Sequence, residues 1–167
     1  VILDPVRVPT GVDDSKRLTA PQREALFTEL AGVAQIGVGL ASVAEIQQLN
    51  ILKASLLAMT RAVAGLVTPP ALALIDGNQR PALSCPCHLV VGGDGKSLSI
   101  AAASIVAKVT RDRIMADLAR AFPGYGWEHN AGYGTALHRR ALNQFGMTPH
   151  HRITFAPIRN ILIIQDS

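Results

Sequence analysis

Two cysteines in 167 residues are too few for a disulfide scaffold. Cys85 and Cys87 form a Cys-x-Cys step that is too tight for a structural zinc knuckle, and no second pair follows it. His88 gives this tract the look of a metal ligand set, but two incidental loop thiols in a reducing, cytoplasmic setting explain it better. No apolar run is long enough to span a bilayer and no segment reads as a signal peptide, so no membrane association is expected. Charge is also sparse. Charged residues make up 17% of the chain, and a formal net charge of +4 is a mild basic excess, suited to a polyanion but far from a histone-like tail. There is no Gly-x-Ser-x-Gly nucleophile elbow. The glycines around Asp94 fall short of a phosphate-binding P-loop, because the position five residues before Gly95 is Val90. Neither internal repeats nor a linker is visible. With 49% apolar residues the chain can build a sizeable core, and residues 1–167 read as one mixed α/β domain.

What is present alternates between helix and strand signals. The opening Val1, Ile2 and Leu3 run straight into a turn at Asp4 and Pro5, the form of a strand end whose beginning lies elsewhere. Thr19 followed by Pro21 and Gln22 forms a capping box that predicts a helix to about Gly32. Residues 35–41 read as a strand, in which Gly37 and Gly39 suit close backbone approach. Ser42 and Glu45 form a second capping box. Beyond it Leu52, Leu56, Met59, Val63 and Leu66 share one helical face, closed by Pro69 and Pro70. Two strands follow, one ending at Asp76 and one near Gly92. The helix beginning near Ser97 carries Ile100, Ala103, Ala107, Ile114 and Leu118 on one stripe, and its first half is apolar enough to be deeply buried. A Gly-Tyr-Gly loop and a further helix over 135–145 complete the pattern.

Asp76 and Asp94 each close an apolar run. Carboxylates at the ends of buried strands are held rigidly and can share a divalent cation, which suits metal-assisted phosphate chemistry. Each also fits a turn, since Asp76 precedes Gly77 and Asn78 and Asp94 lies between Gly93 and Gly95. The pair gains weight because strand ends on one side of a sheet converge. Asp13 and Asp14, in a loop before a helix, read as structural, and neighbouring Lys16 is either a phosphate contact or a solvated surface lysine. His150 and His151 follow Pro149 in a loop and read as structural or phosphate-facing, not as a general base. Tyr133, held between glycines, presents its ring to a sugar or base, or simply packs in its loop.

Taken in order, the segments VILDP, DDSKRL, LNILKASLLAM, LIDGN, GDGK, SIAAASIVAKVTRDR, FPGYGW, GYGT with His138, TPHHR and FAP resemble bacterial ribonuclease HII over essentially the whole chain. The resemblance implies an α/β fold, an RNase H-like mixed sheet flanked by helices, lacking here the first strand and most of the second. It implies a monomer that hydrolyses the phosphodiester on the 5′ side of a ribonucleotide within duplex DNA or an RNA–DNA hybrid. Four carboxylates would bind Mg²⁺ or Mn²⁺, one cation helping to generate the attacking hydroxide and the other stabilising the leaving 3′ oxygen. Asp76 and Asp94 match the third and fourth carboxylates, which makes them the implied catalytic and metal-binding residues. Tyr133 matches the tyrosine that stacks on the sugar next to the ribonucleotide, and Lys16, Asn50, Lys96 and Ser104 would line the substrate groove.

The family's first two carboxylates form an Asp-Glu pair that precedes the segment matching Val1 to Pro5. An N-terminally shortened chain, close to inactive by itself, is therefore expected, with a non-catalytic duplex-binding remnant as the alternative. Asp13 and Asp14 do not replace that pair, because they align with the family's own DDSK loop. Gly92, and Asn130 with Ala131, stand where the family often carries basic residues, and each loss removes a phosphate-proximal charge. The apolar residues 161–164 have no family counterpart.

Overall fold

Local side-chain chemistry starts the first helices. In the computed structural model, whose described residues are 1–153, α1 spans Ala20–Val33. The Thr19 N–H and hydroxyl both donate to Gln22 Oε1, at 2.8 and 2.9 Å. Helix α2 spans Val43–Ala64, and there the Ser42 N–H donates to Glu45 Oε2 at 2.8 Å. Asn50 interrupts α2 with φ 69° and ψ 167°, a region that non-glycine residues occupy only at a cost of roughly 1–3 kcal/mol. Strands β1 (Ala73–Asp76) and β2 (Cys87–Val90) pair in parallel, with Ala73 opposite Cys87 and Asp76 opposite Val90. A 3₁₀ turn over Gly93–Gly95 leads into α3 (Leu98–Ala121). A single turn, α4 (Trp127–Asn130), which the sequence pattern does not announce, precedes α5 (Ala136–Phe145).

These elements build two compact units, residues 1–41 with 52–110 and residues 42–51 with the described residues from 111 onward. In the first, Leu26 and Leu30 of α1 pack with Val12 and with Ala101, Ala102, Ile105, Val106 and Val109 of α3. Leu30 and Ile105 are fully buried, each contributing about 1.5–3 kcal/mol of apolar burial. The expected deep burial of early α3 is present and Ile100 of the predicted stripe is buried, but Ala107 of that stripe is exposed while Ile105 and Val109, outside it, face inward. A helix apolar nearly all round does not specify its own inner face. Its neighbour selects the face with the larger side chains.

The strand predicted over 35–41 does not form. Gln35 makes one antiparallel bridge to Ile2, with N–H···O distances of 2.9 and 3.0 Å, and no ladder extends beyond it. The backbone instead runs against α2. A Cβ at Gly37 would lie 2.1 Å from the Ala62 carbonyl oxygen, and one at Gly39 would lie 2.0 Å from that of Ala58. The glycines therefore serve close approach, to a helix and not to a strand.

The second unit is centred on Met115, Tyr125, Trp127, Ala141 and Leu142, flanked by Phe122 and Leu118. Among the described residues, no helix is long and apolar enough to cross a membrane. The FAP segment at 155–157 and the apolar residues 161–164 lie outside the described residues.

Candidate functional site

The parallel register of β1 and β2 brings Asp76 and the Asp94 turn together. Asp76 is the last residue of β1, and its Oδ1 accepts the Gly93 N–H at 2.8 Å, one residue from Asp94. Asp94 lies in the 3₁₀ turn that follows β2, where its Oδ1 accepts the Gly95 N–H at 3.1 Å. Its Oδ2 receives the Lys16 ammonium at 2.7 Å, and Asp14 stands 3.9 Å from the same nitrogen. The Asp94 side chain is only 13% exposed, so this charged hydrogen bond is partly shielded from water.

The electrostatics follow from that contact. The hydrogen bond to Asp94 and the charge of Asp14 raise the Lys16 pKa, and Asp76 adds a weaker attraction. The same hydrogen bond holds the Asp94 carboxyl below its usual range, against the opposing effect of burial. Lys16 thus stands as a tethered cation on a carboxylate. Hard oxygen donors at a place that stabilises positive charge suit Mg²⁺ or Mn²⁺. Among the described residues no three His, Cys, Asp or Glu side chains gather to hold an ion, so the carboxylates here amount to a pair.

Of the remaining expected site residues in the first unit, Ser104 accepts the Ser15 N–H at 3.3 Å and donates to the Ala101 carbonyl at 2.8 Å. This ties α3 to the loop that carries Lys16. Lys96 turns back on its own loop, its ammonium 2.7 Å from the Val91 carbonyl, away from the role a P-loop lysine would play. Asp13 and Asp14 form turns: Asp13 Oδ1 accepts the Asp14 N–H at 2.7 Å, and Asp14 Oδ1 the Lys16 N–H at 2.9 Å. Cys85 and Cys87 are free thiols, and exposed His88 is on β2.

Asn50 and Tyr133 belong to the second unit. Asn50 is exposed at the break in α2. The Tyr133 side chain is strongly exposed while its backbone is pinned: its N–H donates to the Asn130 carbonyl at 2.8 Å, and its carbonyl accepts the Thr135 N–H at 2.8 Å. Gly132, at φ +84°, turns the chain into this position and donates to Asn130 Oδ1 at 2.8 Å. Beneath the loop lie two buried histidines, His138 and His151, whose pairing the sequence pattern did not disclose. The available signal was His138 in the first turn of a helix capped by Thr135.

The family model described as Ribonuclease HII matches residues 8–158. The Ribonuclease HII of Jannaschia sp. (strain CCS1) is 57% identical over 163 residues, covering 97% of this chain and 82% of that protein. That of Rhodospirillum rubrum is 61% identical over 154 residues, covering 90% of this chain and 70% of that protein. Among solved structures, the ribonuclease H2 of Pyrococcus horikoshii OT3 superposes with a TM-score of 0.80 at 25% identity, covering 94% of this chain and 82% of that one.

Proposed function

This chain belongs to the ribonuclease HII family, the type 2 ribonuclease H endonucleases, and from that premise we propose that it hydrolyses the RNA strand of RNA–DNA hybrids and the phosphodiester 5′ of single ribonucleotides embedded in duplex DNA. The observation that carries this reading is the adjacency of Asp76 and Asp94 at parallel strand ends, with an ammonium already seated on one carboxylate. Asp76 and Asp94 would hold Mg²⁺ or Mn²⁺. When bound, the cation neutralises charge on the scissile phosphate and makes water a better nucleophile. Lys16 then turns its charge from Asp94 to a phosphate oxygen. Ser104 and Lys96 serve as further substrate contacts of the first unit, and Tyr133 and Asn50 as those of the second. Two free, partly covered thiols fit a reducing cytoplasm.

Asp76→Asn tests the metal assignment. The amide oxygen still accepts the Gly93 N–H, so the turn is kept while a charge is lost. Calorimetry with Mn²⁺ should show binding lost and nicking of a ribonucleotide-containing duplex abolished. Normal nicking by this variant sinks the assignment.

Two carboxylates neutralise less positive charge than a two-cation site requires. We therefore expect the 167-residue chain, with this carboxylate pair, to bind hybrids but cleave them far more slowly than the Jannaschia relative. Equal rates would refute that part alone. A second reading is hybrid binding without chemistry, in which the Lys16 ammonium stays seated on Asp94. Binding that persists in EDTA with no product at any Mn²⁺ concentration would select it.

A further inference from the structure

With both rings neutral, the backbone and indole donors around the buried histidine pair select one arrangement of protons, the Thr148 hydroxyl at 2.9 Å from His151 Nδ1 adapting to it. At one end the Thr148 backbone N–H donates to His151 Nδ1 at 2.9 Å. A backbone N–H can only donate, so this nitrogen carries a lone pair and neutral His151 has its proton on Nε2. His151 Nε2 lies 3.1 Å from His138 Nε2, which must then accept. The Trp127 indole N–H, also a donor only, shares that single lone pair through a longer contact of 3.3 Å and likewise requires His138 Nε2 to accept. The proton of His138 is thereby placed on Nδ1, which lies 3.0 Å from the Tyr133 carbonyl oxygen. The chain of donors runs one way, from the Thr148 loop through both imidazoles to Tyr133.

Relative exposures of 4% and 5% show that neither imidazole is available to solvent or substrate. Tyr133, at 75%, is. A large aromatic left exposed on a backbone held by Asn130, Thr135 and His138 is a rigid platform, because the ring can move only about its own side-chain bonds.

We propose that His138 is a positioning residue for Tyr133, and that the His151–His138 pair fixes the backbone position from which the ring meets the nucleic acid. This rests on the reading of Tyr133 as a substrate contact. The arrangement makes the Thr148–His151 loop a determinant of substrate affinity although it lies below the contact surface. Asn at position 138 can keep an N–H near the Nδ1 position, whereas Leu cannot.

Two measurements test this, and neither requires turnover. Long-range ¹H–¹⁵N correlation spectra of the wild-type chain should show His138 protonated on Nδ1 and His151 on Nε2. His138 protonated on Nε2 would overturn the proposal without any variant having to fold. Fluorescence anisotropy with a labelled duplex carrying one ribonucleotide, in EDTA, then compares His138→Leu, His138→Asn, Tyr133→Ala and the Leu/Ala double variant. His138→Leu should bind about threefold to tenfold more weakly, the scale of one lost hydrogen bond, with His138→Asn closer to wild type. On the Tyr133→Ala background, His138→Leu should add nothing. An undiminished effect there would mean a purely structural role and defeat the proposal. Wild-type affinity in Tyr133→Ala would remove the premise and the proposal with it. Weakened binding in Tyr133→Ala but not in His138→Leu would defeat the proposal and leave the premise standing.

Discussion

Lys16 and Asp94 hold each other in their charged forms, and a divalent cation at Asp94 has to compete with that ammonium. Lys16→Met should let the Asp94 carboxyl return toward its usual pKa and should tighten Mn²⁺ binding in titration calorimetry. Unchanged or weaker Mn²⁺ affinity would show that the ammonium is no competitor. His151 sets a different dependence. Burial, with smaller electrostatic contributions from His138 and His150, lowers its pKa from 6.5 to about 4. A pKa lowered in the folded state means that the unfolded chain takes up a proton first. This group's contribution to stability is therefore intact above about pH 6.5 and is lost progressively as pH falls toward 4. At pH 5 the loss is roughly 2 kcal/mol. Urea unfolding near neutrality and near pH 5 should show a steeper loss for wild type than for His151→Phe, and parallel losses would refute the attribution.

Among the elements, the capped helices were legible because their signals are local. Thr19 with Gln22 and Ser42 with Glu45 close hydrogen bonds three residues apart, and no distant partner is needed. The segment at 35–41 is ambiguous in sequence because a glycine-rich apolar stretch fits either a strand partner or a helix at close range. The carbonyls of Ala58 and Ala62 decided it. The consequence is measurable. Gly39→Ala should destabilise the chain by about 1–3 kcal/mol in urea unfolding, since the new Cβ meets backbone. Gly32→Ala, within α1 and with open space around it, should stabilise by roughly 0.5–1 kcal/mol. Equal effects at the two positions would contradict the packing described here.

For the molecule as a whole, a net charge of +4 on a chain with 17% charged residues is a mild basic excess. Hybrid affinity should still fall with added salt, with a shallow negative slope of log affinity against log salt, because each phosphate contact releases counterions. Anisotropy titrations across a salt series check this, and a slope of zero would exclude a phosphate-directed surface. Parallel pairing also acts at this scale. It puts the end of β1 beside the turn after β2, although the connecting residues form no helix.

By itself the sequence determined the helix caps, the two apolar strands and the carboxylates that end them, and through its ordered motifs it pointed to the family. Each of these depends on neighbours within a few residues or on motif order. Only the tertiary structure decided which face of α3 is buried, that 35–41 lies against α2, and that Lys16 reaches Asp94 across 78 residues. It alone paired His138 with His151 and joined them to the Tyr133 carbonyl. Those contacts depend on which surfaces packing brings within hydrogen-bond range, and neither periodicity nor local propensity encodes that.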